Sequence, residues 1–336
     1  MKKKQLFALV FIAIAMIFLL TPFNKKEQPY TTNQGKVFGT FYNIIYQQPQ
    51  GKNLNDSIIK AFQEFDTSLS TFNQTSTISK INRNESDSTD YFFRKMYEEA
   101  QRVSSLTNGA FDITVAPLVN AWGFGFKQEV FPTQTTIDSI LQYVGYKKIS
   151  LKNNFLQKQD SRIQIDASAI AKGFSVDIVA NLLEKNGCEN FLVDIGGEIV
   201  AKGKNPKGEK WTIGINKPTE SPIQTGEIQS VLYSNDIAMA TSGNYRQFYY
   251  KDGKKYAHTI DPKTGQPVQH QLLSATIVAP TCMTADAFAT ACMVMGTEKS
   301  IALCDSIAEI EGFFIYSGGD SLFSVCSKGF EKLLKK

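Results

Sequence analysis

The chain has 336 residues, 42% hydrophobic and 20% charged, the balance of an ordinary globular protein with a sizeable core. Its net charge is only +4, much of it at the two ends, in Lys2 to Lys4 and in Lys332, Lys335 and Lys336. That distribution argues against nucleic acid as a partner. With only His258 and His270 present, a multi-histidine metal site within one chain is close to excluded.

Lys2, Lys3 and Lys4 precede an uninterrupted apolar run from Leu6 to Leu20, the pattern of a signal sequence or a short membrane anchor. No small-residue cleavage site follows, which favours an anchor spanning residues 1–23. The first cysteine is Cys188, so a lipid-modified N-terminal cysteine is ruled out. The positive-inside rule keeps the lysines in the cytoplasm and sends everything after Phe23 outward. The expected location is therefore the bacterial inner membrane, with the body of the chain facing the periplasm. Residues 24–35 are polar, with Pro29 and Gly35, and read as a linker.

From residue 36 onward short β-rich runs alternate with longer amphipathic ones. VFGTFYNIIY is a strand candidate. Leu54 to Leu69 places Ile58, Ile59, Phe62, Phe65 and Leu69 on one helical face. A second helix is predicted from about Asp90 to Leu106, with Asn108-Gly109 as its stop. RIQIDAS reads as a strand feeding the helix AIAKGFSVDIVANLLEKNG, where Ile170, Phe174, Ile178, Leu182 and Leu183 form a stripe and Gly187 ends it. FLVDIGGEIVAKG is a strand with a Gly-Gly bend, and KWTIGINKP and SVLYSNDIAMATSG add strands. NYRQFYYKDGKKYAHTIDP reads as a hairpin turning at Asp252-Gly253. TADAFATACMVMG is a helix, and more strands follow around FFIYSGG. Without internal repeats or a regular βα alternation, this order predicts one α+β domain over 36–336. The five cysteines match neither a CxxC pair nor a zinc spacing and read as buried small hydrophobes.

Four segments carry candidate chemistry, and no phosphate-binding P-loop, dinucleotide fingerprint, nucleophile elbow or HExxH is present. In TADAFATA, Asp286 and Thr290 lie four apart, so on a helix their oxygens point the same way. A carboxylate and a hydroxyl, with backbone carbonyls and a pyrophosphate, would suit Mg²⁺, though an Asp near a helix start is often only a cap. In DASAIAKG, Asp166 precedes a helix expected to open at Ser168 or Ala169, with Lys172 in its first turn. Small residues and free N–H groups there favour phosphate, and the plainer alternative is a capped helix with a surface lysine. In YAHTIDPKTGQP, His258 followed by Asp261 offers a general base, or simply a histidine before a Pro-Gly turn. GAFDITVAPLVNAWGFG combines Asp112 with aromatic-Gly pairs able to floor a flat ring system, or to serve as core aromatics and turn glycines.

In this order, VFGTFYNI, LSTF, GAFDITVAPLVNAWGFG, DASAIAKGFSVD, VDIGGEIVAKG, ATSGNY, HTIDPKTGQPV and TADAFATA resemble the ApbE family, the FAD:protein FMN transferases, over nearly the whole chain beyond the linker. The resemblance implies an ApbE-like domain with Mg²⁺ as cofactor and FAD as substrate. Asp286 and Thr290 would hold the metal with backbone oxygens of Ala169 and Ala289. The flavin nucleotide would contact Phe38, Phe72, Ala110, Phe111, Asp112, Asp166, Lys172 and Ile260. A Ser or Thr hydroxyl of an acceptor flavoprotein, a subunit of a membrane or exported electron-transport system, would take the FMN and release AMP. His258 is the candidate base, with Asp261 and Asp166 as alternatives. Two rival readings share the site: an FAD pyrophosphatase releasing FMN and AMP, and a non-catalytic FAD-binding protein. The family commonly has Met where this chain has Phe38, which keeps an apolar wall but changes ring packing.

Overall fold

The computed structural model describes residues 28–125, 131–219, 227–244, 248–251, 254–319 and 321–334. The N-terminal apolar run and the expected Asp252-Gly253 turn lie outside these residues. No helix among the described residues is long and apolar enough to cross a membrane.

The centre is an eight-stranded antiparallel sheet in the order β1-β2-β5-β6-β9-β12-β13-β14. Its strands are β1 (Thr31–Val37), β2 (Thr40–Gln47), β5 (Asn190–Ile195), β6 (Glu198–Lys202), β9 (Asp236–Gly243), β12 (Leu272–Ala279), β13 (Glu311–Gly318) and β14 (Ser321–Cys326). Three two-stranded ribbons accompany it: β3 (Ile149–Lys152) with β4 (Phe155–Lys158), β7 (Trp211–Asn216) with β8 (Ile228–Ser234), and β10 (Phe248–Lys251) with β11 (Lys254–Ala257). The mixture of one large sheet and unevenly spaced helices is the expected α+β class.

Side-chain alternation gives the sheet two apolar faces. Ala240, Ala275, Ile277 and Phe314 join the core beneath the helices. Met239, Phe313 and Ile315 face the other way, where Trp211, Ile213 and Ile215 of β7 cover them. On the helical side lie α1 (Asn55–Leu69), α2 (Thr77–Asn82), α3 (Tyr91–Leu106), α6 (Ala171–Lys185), α7 (Cys282–Met295) and α8 (Thr297–Ser306), while α4 (Ala116–Ala121) and α5 (Gln134–Leu141) pack together. α1 buries Ile58, Phe62, Phe65 and Leu69 as the spacing predicts, each worth roughly 1.5–3 kcal/mol of transfer free energy. Asp90 caps α3 by accepting from Phe93 N at 2.9 Å.

Four expectations need correction. The linker ends sooner than residue 35, because Thr31 to Gly35 belong to β1, which pairs with β2 along its whole length. VFGTFYNIIY is therefore a hairpin, its corner at Phe38 (φ 49°) and Gly39 (φ 74°). RIQIDAS is extended but joins no ladder. Asn82 takes the place of a neighbouring strand, accepting from Ile165 N at 2.7 Å and donating to Ile165 O at 2.8 Å. The helix after it opens at Ala171 rather than Ser168 or Ala169.

Candidate functional site

A cleft of about 1220 Å³ opens where six parts of the fold converge. These are the start of α6, the middle of α7, the β5–β6 turn, the end of β9, and two loops around residues 110–116 and 258–262. α6 and α7 are locked to each other by two reciprocal contacts. Gly173 N donates to Asp286 Oδ2 at 2.9 Å. In return, the N-terminus of α7 donates to Asp177 of α6, from Cys282 N and Met283 N at 2.8 Å each.

Asp286 is 3% exposed and lines the cleft together with Thr290, one helical turn further along α7. Thr290 Oγ1 lies 3.3 Å from Ser242 Oγ on β9. Ala169, at the entrance to α6, reaches the same cleft. These donors are all oxygens, the set that a hard cation takes.

Lys172 Nζ donates to Glu198 Oε1 at 2.5 Å. The Glu198 side chain is 2% exposed, while Lys172, at 38%, remains open to the cleft. Burial pushes the Glu198 carboxyl up to about 7, against the pull of Lys172. Burial likewise raises Asp286, opposed by Lys172 and the Gly173 N–H. Burial works against the charge on Lys172, but Glu198 and then Asp286 outweigh it and hold the ammonium above its usual value. One cation among two buried carboxyls keeps its own proton and neutralises only part of their charge. The second oxygen of Glu198 has no hydrogen-bond partner, so the cluster is short of positive charge and of donors.

Also in the lining of the cleft, the His258 ring meets Phe124 edge to face, with centroids 6.3 Å apart. The loop that carries it is fixed at several points. Trp122 Nε1 donates to Gly265 O at 2.7 Å, Thr259 Oγ1 donates to Asn244 Oδ1 at 2.5 Å, and Val268 N donates to Thr259 O at 3.0 Å. The other histidine, His270, sits outside this cleft with Nε2 2.8 Å from Met293 O.

Of the residues singled out from sequence, the cleft gathers Phe72, Ala110, Phe111, Asp112, Asp166, Ala169, Lys172, His258, Ile260, Asp286 and Thr290. Phe72 stands 82% exposed at its edge. Three residues are not brought there. Phe38 packs inward at the β1–β2 corner, its ring 5.7 Å from Phe62 and 5.6 Å from Phe65. Ala289 is fully buried in the core. Asp261 shapes its own turn, accepting from Lys263 N at 2.9 Å, and lies outside the lining. Asp112 reaches the cleft with its carboxyl already engaged by Thr114 N, Thr114 Oγ1 and Tyr146 N, which suits holding the loop rather than a ligand. Asp166 Oδ1 accepts from Ser168 N at 2.8 Å.

Sequence reasoning missed Glu198 and Asp194. Both flank Gly196-Gly197, whose φ values of 69° and 101° are ones that side chains rarely adopt. The signal was an acid next to Gly-Gly in an otherwise apolar strand, VDIGGEIV.

Oxygen ligands, a lysine and a histidine around a helix N-terminus are the equipment of a phosphoryl-group transferase. The sequence pattern of the ApbE family matches residues 38–314, and the chain belongs to that family. It is 36% identical to the FAD:protein FMN transferase of Vibrio cholerae over 334 residues, covering 97% of this chain and 98% of that protein. Against the FAD:protein FMN transferase of Haemophilus influenzae the identity is 37%, over 96% of both. The solved structure of the flavin transferase ApbE from Vibrio cholerae superposes with a TM-score of 0.82 at 36% identity, covering 91% of this chain and 99% of that one.

Proposed function

We propose that this chain is a Mg²⁺-dependent FAD:protein FMN transferase, held at the bacterial inner membrane by residues 1–23 with its domain in the periplasm. It would attach FMN to a Thr or Ser hydroxyl of an acceptor flavoprotein subunit and release AMP. One observation carries the reading: Asp286 and Thr290 sit a helical turn apart on the wall of the cleft that also holds Lys172 and His258.

The residues present fit the metal. Asp286, Thr290 and the Ala169 carbonyl would hold it, and the buried carboxyls exceed the one ammonium among them. Bound there, Mg²⁺ supplies neutralisation of the charge on the pyrophosphate. The N-terminus of α6 and Lys172 draw the phosphates toward the cluster. His258 takes the proton of the acceptor hydroxyl as its oxygen bonds to the phosphorus on the FMN side. The bond from that phosphorus to the bridging oxygen breaks, and the bridging oxygen leaves with AMP. Phe72, Ala110, Phe111 and Ile260 give the isoalloxazine an apolar surround.

The test separates three outcomes. Full-length enzyme with FAD and Mg²⁺ but no acceptor is expected to leave FAD largely intact, and an added acceptor is expected to release AMP in step with its own labelling. Free FMN formed without acceptor would make the chain a hydrolase. Intact FAD in every tube, across several acceptors, would make it a binder.

A further inference from the structure

β7 pairs with β8 alone, yet all six of its residues, Trp211 to Asn216, line the cleft. Side chains of a strand alternate between two faces, so six consecutive residues border one space only when the strand turns its backbone edge toward it. The ladder shows which groups stand on that edge. Tyr233 N donates away from β7, to Leu333 O at 3.1 Å, and Tyr233 pairs with Thr212. Opposed residues of an antiparallel pair turn their N–H and C=O the same way, either both inward or both outward. Thr212 therefore points its backbone groups away from β8, and Gly214, two residues on, does the same. At the far end Lys217 N donates to Glu227 O at 2.9 Å, so Asn216 also turns to the open side.

The backbone groups of Thr212, Gly214 and Asn216 have no hydrogen-bond partner among the described residues. The strand is held stiffly, because Trp211, Ile213 and Ile215 are 2–4% exposed in the core beneath it. Gly214 adds no side chain, and Ile228, 57% exposed, lies over it as an apolar shelf. A rigid edge with donors and acceptors at a two-residue repeat matches the main chain of another strand. It offers no charge of its own for a phosphate.

We propose that the acceptor polypeptide enters the cleft as an extended segment that adds to the open edge of β7 as a third strand, delivering its hydroxyl to the nucleotide in the same cleft. This rests on the transferase reading and names how that reaction takes its second substrate. Main-chain bonds would supply affinity that depends little on acceptor sequence, and alternate side chains would supply the selection.

The probe is a library of nine-residue peptides with a central threonine, incubated with full-length enzyme, FAD and Mg²⁺; the best FMN-labelled peptide is then studied quantitatively. Thr212→Pro removes one edge N–H that takes no part in the hydrogen bonds between β7 and β8, the side of an edge strand where proline is tolerated. Its peptide KM is expected to rise about tenfold, the worth of one or two backbone hydrogen bonds, with the KM for FAD unchanged. Thr212→Val, which restores the N–H, is expected to recover most of that loss. Peptides N-methylated on alternate residues test the same edge without altering the enzyme. One phase of methylation should abolish labelling and the other should spare it. Equal peptide KM in wild type and Thr212→Pro, equal effects of both methylation phases, or a rise in the FAD KM instead would each overturn strand addition. So would a wild-type enzyme that labels an intact acceptor protein but no peptide, an outcome that leaves the transferase reading standing.

Discussion

The backbone N–H of Gly173 on α6 donates to the carboxylate of Asp286 on α7 at 2.9 Å, and that approach exists only because residue 173 has no side chain. A Cβ there would fall 2.8 Å from the Asp286 Cβ and closer still to the Cys282 carbonyl oxygen. Backbone, not a flexible side-chain end, blocks it. Gly173→Ala must push the helices apart, losing the bond and straining the core. Its expected cost is about 2–4 kcal/mol in denaturant unfolding, together with weakened Mg²⁺ binding. A variant as stable as wild type would show that the two helices are not locked at this point.

Asp286→Ala removes the one carboxylate of the proposed metal set. Transfer is expected to vanish at ordinary Mg²⁺, while the fold survives, because the lost bond from Gly173 N is offset by relief of a carboxyl that burial disfavours as an anion. Chelating Mg²⁺ from the wild type should reproduce the loss, and adding it back should reverse it. Activity tracked by AMP release checks both, and a fully active Asp286→Ala would end the metal assignment.

His258→Ala should bind FAD as wild type does and lose about 10²–10⁴ in turnover, the usual worth of a positioned general base. Asp261→Ala is the comparison. Asp261 lies outside the cleft lining and bonds its own turn, so its loss should act through loop stability rather than through the pH dependence of the rate. Unchanged turnover in His258→Ala would remove His258 from the chemistry.

Burial pushes the Asp177 carboxyl up to about 7, against the two backbone donors of α7 and with the help of the nearby Asp286 and Glu99 charges. In an unfolded chain an aspartate titrates near about 3.9. The folded protein thus holds an extra proton between those values. The stability linked to that proton is complete below about pH 4 and is lost as pH rises through about 7. Asp177→Asn lacks this titration, so the stability of wild type relative to the variant should decline from pH 4 to pH 7. Chemical denaturation across that range reads it, and a difference that grew with pH would contradict the assignment.

Much of this site was legible in the sequence because its parts obey local rules. The four-residue spacing of Asp286 and Thr290, the Gly-Gly bend of VDIGGEIV and the lysine in the first turn of α6 all stand in the structure where periodicity puts them. What local pattern could not give was long-range satisfaction of backbone groups. RIQIDAS has the composition of a strand, yet Asn82, far away in sequence, satisfies Ile165 instead of a ladder. Thr31 to Gly35 looks like polar linker because β1 is an edge strand, half solvated and short of apolar residues. Phe38 and Ala289 are apolar, and no periodicity distinguishes a ring or methyl that lines a cleft from one buried behind it. Glu198 went unremarked because its role depends on Lys172, which the fold brings from another element.

The most direct test is the intact mass of an acceptor flavoprotein after incubation with the full-length enzyme, FAD and Mg²⁺. A gain equal to one FMN less water, on a Ser or Thr and absent when Mg²⁺ is chelated, is the predicted result. An acceptor of unchanged mass beside accumulating free FMN and AMP would contradict it, since the same cleft would then be handing the phosphorus to water.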